Sequence, residues 1–460
     1  MRTAHTHPDM PELPTPYNAV IPPHVKCFPE YLRAAGYFCT NCAKTDYQFD
    51  APVTAWDECS LEAHWRNRSD PEQPFFAVFN LMGTHESAMW PEKTPEITFD
   101  PAEMTVPPYY PDTPEVRETL ARVYTQIEHN DRLLGELLQQ LDQDGLTENT
   151  IVFHWSDHGP LPRGKRYLYD AGIHVPMIVR GAPEIEHGTV SDQLVSTIDL
   201  GPTVLSLMGI DIPVHMQGRA FLGEQAAPER EYIFASRDRH DETYDRVRAV
   251  RDKRFKYIRN YCPQQSMTSW LPYLYHNPIM KELWRLHLTG DLNETQELFF
   301  KTPRPVEELY DTEADPYEIN NLAKVPMFGN ELNRLRAAMD EWQNTVGDMG
   351  EIPEFEMIRR WYPDGKQPIT AAPVFVPISS ANYGETPATG HLNLCGPAAL
   401  QIVSATQGAS IAYKTDPSSK HWKLYTGPLP LKPGKTLVIA KSIRIGYRES
   451  SQTSLSITVE

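Results

Sequence analysis

The sequence predicts an α/β protein: a mostly parallel sheet flanked by helices, then a small antiparallel α+β subdomain, then a C-terminal β-sandwich. Three observations carry this. Up to about Gly223, short apolar runs alternate with helical patterns, the signature of a largely parallel sheet. From Glu231 the runs shorten and alternate apolar with polar, as antiparallel strands do. After Pro377, short strands are separated by marked turns, among them Gly408-Ala-Ser, Asp416-Pro-Ser-Ser and Lys432-Pro-Gly, the pattern of a sandwich.

In order, Cys27 to Gly36 places Phe28, Tyr31, Leu32 and Ala35 on one face and ends in glycine, which predicts a helix. Tyr37 to Cys42 predicts a strand whose exit carries Lys44. Phe75-Phe-Ala-Val-Phe-Asn-Leu-Met82 predicts a second, ending in Gly83-Thr-His85. Pro114 to Leu141 carries Val116, Leu120, Val123, Ile127, Leu134, Leu137 and Leu141 at helical spacing. Ile151 to Trp155 reads as a strand buried on both faces, Val175 to Val179 as another, and Thr197 to Met208 as a helix stopped by Gly209. Strands are expected at 232–235, 246–250, 255–258 and 308–311, with a helical insertion from Trp270 to Leu288 and a helix from Glu331 to Val346. The basic run Arg246, Arg248, Arg251, Lys253, Arg254, Lys256 reads as a solvent face of that sheet. The boundaries that follow are 1–225, 226–350, a proline-rich linker at 351–376, and a sandwich at 377–460.

Charge narrows the functional classes. A formal net charge of −18 provides no basic field for nucleic acid, so an anionic substrate must be drawn in by local cations. No apolar run is long enough to predict a transmembrane segment. Cys39 and Cys42 form a lone C-x-x-C without a second pair and read as ordinary thiols. The first residues show no signal-peptide h-region.

The chemistry concentrates in Ile151-Val-Phe-His-Trp-Ser-Asp-His-Gly-Pro160 and Arg163-Gly-Lys-Arg-Tyr-Leu-Tyr-Asp-Ala-Gly-Ile-His-Val-Pro176. Asp157 and His158 stand at a strand's exit, where open α/β sheets place their ligands. Lys165 follows Gly164 on the chain leaving the same crevice. A carboxylate for a metal and an ammonium for an anion fit hydrolysis of an anionic ester. This order of positions resembles the sulfatase branch of the alkaline phosphatase superfamily, over roughly Arg2 to Leu322. The run Met1 to His7 and the Lys44 region resemble heparan N-sulfatase-like members, and the C-terminal sandwich resembles that of hexosaminidases.

The resemblance implies an alkaline-phosphatase-like fold and a sulfuric ester or sulfamate hydrolase acting on a sulfated carbohydrate. It makes Asp157 a Ca²⁺ ligand, Lys165 a sulfate contact, and His85 the residue that hydrogen-bonds the bridging oxygen and protonates the leaving oxygen or nitrogen. Lys44 would bind the ester, and Arg239 and His240 would meet sugar hydroxyls or carboxylates, with a solvated charged turn as the alternative for that segment. Two positions depart from the family pattern. His158 stands where many members have Asn, so it either contacts the sulfate or ligates a different metal, and Asp46 stands where a histidine is usual. The family's nucleophile is formylglycine, made from Cys or Ser in a Cys/Ser-x-Pro-Ser-Arg segment, and none of the six cysteines begins one. The expectation is a chain lacking the N-terminal part of its catalytic domain, inactive as it stands, with a periplasmic or secreted full-length parent. A non-catalytic glycan-binding protein and a phosphoester or phosphonate hydrolase stay open as alternatives, as does oligomeric state. Residues 372–460 expressed alone are expected to unfold cooperatively with a dispersed NMR spectrum; a molten fragment would remove the proposed boundary.

Overall fold

The computed structural model describes residues 17–182 and 184–460. The Met1 to His7 run lies outside the described residues. Two compact units are formed: one from residues 81–200 and 218–351, the other from 17–80, 201–217 and 352–460.

The first unit is organised by helix Pro114–Gln143. Thr113 caps it by accepting from the Val116 N–H, and Pro114 occupies the first turn, where a missing N–H costs nothing. Its buried face, Val116, Leu120 and Ala121, packs with Tyr109, Tyr110, Ile279, Leu283 and Phe299. Strand Val152–Trp155 is present but pairs antiparallel with Met177–Arg180. This corrects the expectation that both belong to a largely parallel sheet. Parallel neighbours need a crossover, usually a long helix. The intervening stretch instead holds only the four-residue helices Pro162–Lys165 and Asp170–Ile173. Nor is the first strand buried on both faces. Its residues are half-buried to exposed, and Ile178 across from it is 61% exposed. Apolarity identified a strand without identifying its neighbours.

Strands Ile233–His240, Thr243–Arg251, Phe255–Asn260 and Glu307–Asp311 form an antiparallel sheet in that order. Helix Gly329–Val346 closes one face, setting Leu335 and Met339 against Val250, Tyr257 and Leu309. The basic run is not a solvent face. Arg248 and Lys256 are 1% and 0% exposed. Arg248 pairs with Asp238 and Asp348 at 2.8 and 2.6 Å, and Lys256 with Glu318 at 2.8 Å and with Asp170. Strand alternation turned these cations inward, and burial is tolerable because carboxylates meet each one.

The second unit holds the parallel sheet, order Glu58–Cys59, Phe38–Cys42, Phe75–Phe79. Helix Phe28–Ala34 leads into it through Gly36, whose φ of 94° lets the chain reverse. Leu32, Cys39, Trp56 and Leu205 form the local core. All six cysteines are free thiols, and burial pushes the Cys39 thiol well up. Helix Glu354–Trp361 lies within the stretch read as a linker.

Beyond it, a four-stranded sheet (382–383, 374–379, 398–403, 429–431) faces a five-stranded one (390–394, 453–459, 434–443, 410–414, 423–424). Phe375, Leu400, Ile402, Val438, Leu455 and Ile457 fill the space between. The described N-terminal stretch is joined to this sandwich: Lys26 Nζ donates to the Gly408 carbonyl and Ser410 Oγ, at 2.6 and 3.0 Å. Gly408 has φ 77°, and a Cβ there would overlap the Pro23 carbonyl oxygen. Gly408→Ala is therefore expected to destabilise by about 1–3 kcal/mol in urea unfolding. A loss under about 0.5 kcal/mol would show that Pro23 is not seated on this turn.

Candidate active site

Four chain segments of the first unit converge through specific contacts. The first is the strand exit Ser156-Asp157-His158-Gly159. Ser156 Oγ donates to the His158 carbonyl at 2.7 Å, tightening the turn. His158 Nδ1 lies 2.9 Å from the Gly159 carbonyl, which can only accept, so Nδ1 carries the proton in the neutral ring. Its Nε2 then faces the exposed Asp157 carboxylate at 3.6 Å.

The second segment, Pro162–Lys165, is held against the first by glycines. A Cβ on Gly164 would sit 2.7 Å from the Ala171 carbonyl oxygen and 3.0 Å from that of Gly159. Cβ atoms on Gly159 and Gly172 would overlap the Ala171 and Gly164 carbonyls, and the Gly159 N–H donates to the Gly172 carbonyl at 2.9 Å. Bare backbone thus packs on bare backbone, setting the Asp157-His158 loop beside the helix that carries Lys165.

Arginines anchor that helix on either side of Lys165. Arg163 is 2% exposed, lies over the rings of Tyr169 and Tyr109 at 4.0 and 4.6 Å, and donates to the Glu318 carbonyl at 2.7 Å. Arg166 donates through both Nη atoms to Glu86, at 2.8 and 2.7 Å. Glu86 follows His85, so this pair ties the third segment to the second. Lys165 Nζ stands 3.7 Å from Glu86 Oε2 with its side chain 10% exposed. Burial works against the charged form of Glu86, but Arg166, with Lys165 and His85 adding, holds its carboxyl below the usual range.

His85 has a defined tautomer. Its Nδ1 accepts from the Ser87 backbone N–H at 3.3 Å and lies 2.9 Å from Ser87 Oγ, with Tyr273 Oη at 3.5 Å. With Nδ1 accepting, the ring proton sits on Nε2. The loop itself hangs on helix Pro114–Gln143, where residues 122, 126 and 130 share one face. Arg122 Nε donates to the Thr94 carbonyl (2.8 Å), Gln126 to Thr94 Oγ1 (2.8 Å), and Asn130 to Thr84 Oγ1 (3.0 Å). A cleft of about 360 Å³ opens there, lined by Met82, Ser87, Lys93, Thr94, Gln126 and His129.

Arg239 and His240 close the hairpin that forms the fourth segment. Its turn, Asp241-Glu242, is buried rather than solvated, with Asp241 at φ 51°. Arg239 Nη1 donates to the Glu242 carbonyl at 2.8 Å, and His240 Nδ1 lies 3.5 Å from Asp241. Thr243 Oγ1 donates to the Trp270 carbonyl at 2.5 Å, so the hairpin and His85 both meet the 270–273 stretch. Lys44 belongs to the second unit, on the exit of strand Phe38–Cys42. There its Nζ lies 3.3 Å from Asp46 Oδ2, and its carbonyl accepts from Asn41.

Among the described residues, no group of three or more His, Cys, Asp or Glu side chains is arranged to hold a metal. Asp157 and His158 alone do not make the six to eight oxygens that Ca²⁺ takes. Sequence reasoning missed Glu86, Arg163, Arg166 and Tyr273. Arginines two before and one after the site lysine were the available signal for two of them.

The chain matches the family model described as Sulfatase over residues 39–210, and that described as N-sulphoglucosamine sulphohydrolase, C-terminal, over residues 162–278. It is 41% identical to an ulvan-active sulfatase of Formosa agariphila, covering 96% of this chain and 77% of that protein. It is 30% identical to human N-sulphoglucosamine sulphohydrolase over 61% of this chain and 59% of that one. A solved 2-O GAG sulfatase shares the fold, with TM-score 0.53, 19% identity, and coverage of 77% of this chain and 80% of that chain.

Gly159→Ala is expected to displace the Asp157-His158 loop, since the blocking atom is backbone that cannot rotate away. Chemical shifts of the His158 ring and the Lys165 amide should both move. If only signals of residues 157–160 change, the two segments are not coupled through the glycines.

Proposed function

The chain belongs to the sulfatase family, and on that premise we propose that it binds, as a sulfuric ester (or sulfamate) hydrolase does, a sulfated polysaccharide of the ulvan type. The observation that carries the reading is the convergence of Lys165, the Asp157-His158 turn and His85 through the glycine junction and the Glu86–Arg166 pair. Lys165 would neutralise charge on the sulfate oxygens. His85 would direct its Nε2–H to the bridging oxygen as a hydrogen-bond donor, where negative charge develops as the ester bond breaks. His158 Nε2, accepting in the neutral ring and donating when protonated, would read a substrate hydroxyl or a sulfate oxygen. Arg239, His240 and Lys44 are proposed sugar or ester contacts, and the cleft lined by Lys93 and His129 gives room for a neighbouring sugar.

Asp157 would offer one carboxylate to Ca²⁺, the family's metal, whose further donors are not among the residues described above. Formylglycine supplies the family's nucleophile, and the 460 residues contain no Cys/Ser-x-Pro-Ser-Arg segment to form it. The residues described here therefore bind and orient, while attack on sulfur needs a group they do not supply. That same lack favours a second reading, a glycan-binding protein with a sulfatase's anion site.

The test separates them. The 460-residue chain should be stabilised against heat by sulfated ulvan oligosaccharides and not by their desulfated forms. Lys165→Ala should weaken that binding about 10- to 100-fold, the size of one charge-assisted hydrogen bond. The chain alone should show no turnover of an aryl sulfate. Equal binding of desulfated saccharide would end the sulfate reading, and turnover surviving repeated purification would show a nucleophile within these residues.

A further inference from the structure

Each of two proposed site residues is followed directly in sequence by one half of a buried ion pair: His85 by Glu86, and Lys165 by Arg166. The pair is bidentate, at 2.8 and 2.7 Å, and the side chains of Glu86 and Arg166 are 2% and 0% exposed. We propose that Glu86 and Arg166 are positioning residues, a clamp that fixes the distance and orientation between the His85 ring and the Lys165 ammonium. The inference rests on the sulfate-binding reading above for what the positioned groups do.

Stability alone does not account for such a pair. Desolvating two charges costs much of what their attraction returns, and well-packed apolar replacements are often neutral or stabilising. What a fork of two parallel bonds provides, and an apolar contact does not, is direction. Here the direction is used twice. The carboxylate that accepts the fork also stands 3.7 Å from Lys165 Nζ, so it constrains that ammonium from the side. The backbone that carries it turns at once into Ser87, whose N–H and hydroxyl both address His85 Nδ1. Moving Glu86 therefore moves the groups that set the His85 tautomer as well as the one that steadies Lys165. The charges balance too: Glu86 and Arg166 cancel, so the clamp adds no net charge beside Lys165.

The experiment replaces the pair without changing net charge. Glu86→Leu/Arg166→Met is expected to unfold cooperatively at or above the wild-type temperature, yet bind sulfated ulvan oligosaccharide about 10- to 100-fold more weakly, the range for losing a partner that orients a ligand-binding group. Its His85 ring-nitrogen signals should lose the single-tautomer pattern. A double variant that folds, binds as wild type and keeps those signals overturns the clamp. Should it not fold, Arg166→Lys decides. That variant keeps the charge but not the fork, so weakened binding at an unchanged melting temperature supports the clamp, and unchanged binding overturns it. If wild-type protein does not discriminate sulfated from desulfated saccharide, the functional reading fails on its own, and the His85 signals still judge the clamp.

Discussion

Backbone packing at Gly159, Gly164 and Gly172 is the constraint on which the site depends. Four carbonyls, of Gly159, Gly164, Tyr167 and Ala171, and three bare α-carbons occupy space that any side chain would contest. The contact brings the strand exit and the lysine helix together more closely than side-chain packing allows, and it does so with groups that have no rotamers. A site assembled this way fixes the backbone positions from which the Asp157 carboxylate and the Lys165 ammonium extend. The arginines and the His85 loop are attached to this junction: Arg163 and Arg166 pin the helix from outside, and Glu86 carries the attachment on to His85.

The second organising theme is how an acidic chain manages buried cations. Arg166 lies with Glu86, Lys256 with Asp170 and Glu318, Arg248 with Asp238 and Asp348, and Arg304 with Asp245 at 2.6 Å. Each of these four cations is met by at least one carboxylate, while Arg163 lies instead over tyrosine rings and donates to a backbone carbonyl. Lys165 differs in degree. Its carboxylate neighbour is shared with Arg166, which holds it at the shorter distance. The carboxylate held by the bidentate guanidinium meets Lys165 as its second, more distant cation.

How much of this the sequence disclosed follows from what kind of information each feature carries. Helix Pro114–Gln143 was legible because its apolar residues recur at helical spacing from Val116 to Leu141. The Asp157-His158 and Lys165 positions were legible because a strand exit and a glycine-lysine step are local patterns. The antiparallel pairing of Val152–Trp155 with Met177–Arg180 was not, since an apolar run states burial and not direction. The inward turn of Arg248 and Lys256 was not legible either. Their partners Asp348, Asp170 and Glu318 lie between 62 and 100 residues away, counting from the paired positions, and only the fold brings them in. Glu86 was hidden for the same reason: 80 residues separate it from Arg166.

The tautomer of His85 sharpens what the site can do. With Nδ1 accepting from the Ser87 backbone N–H at 3.3 Å, the neutral ring has one place for its proton. The neutral ring donates from Nε2 but has no second proton to give away cheaply. On the reading proposed above, that N–H is a hydrogen-bond donor to the departing oxygen. On that reading the ester is oriented by hydrogen-bond direction, at Nε2 of His85 and at the Lys165 ammonium. Direction is what the glycine junction and the Glu86–Arg166 fork are built to preserve.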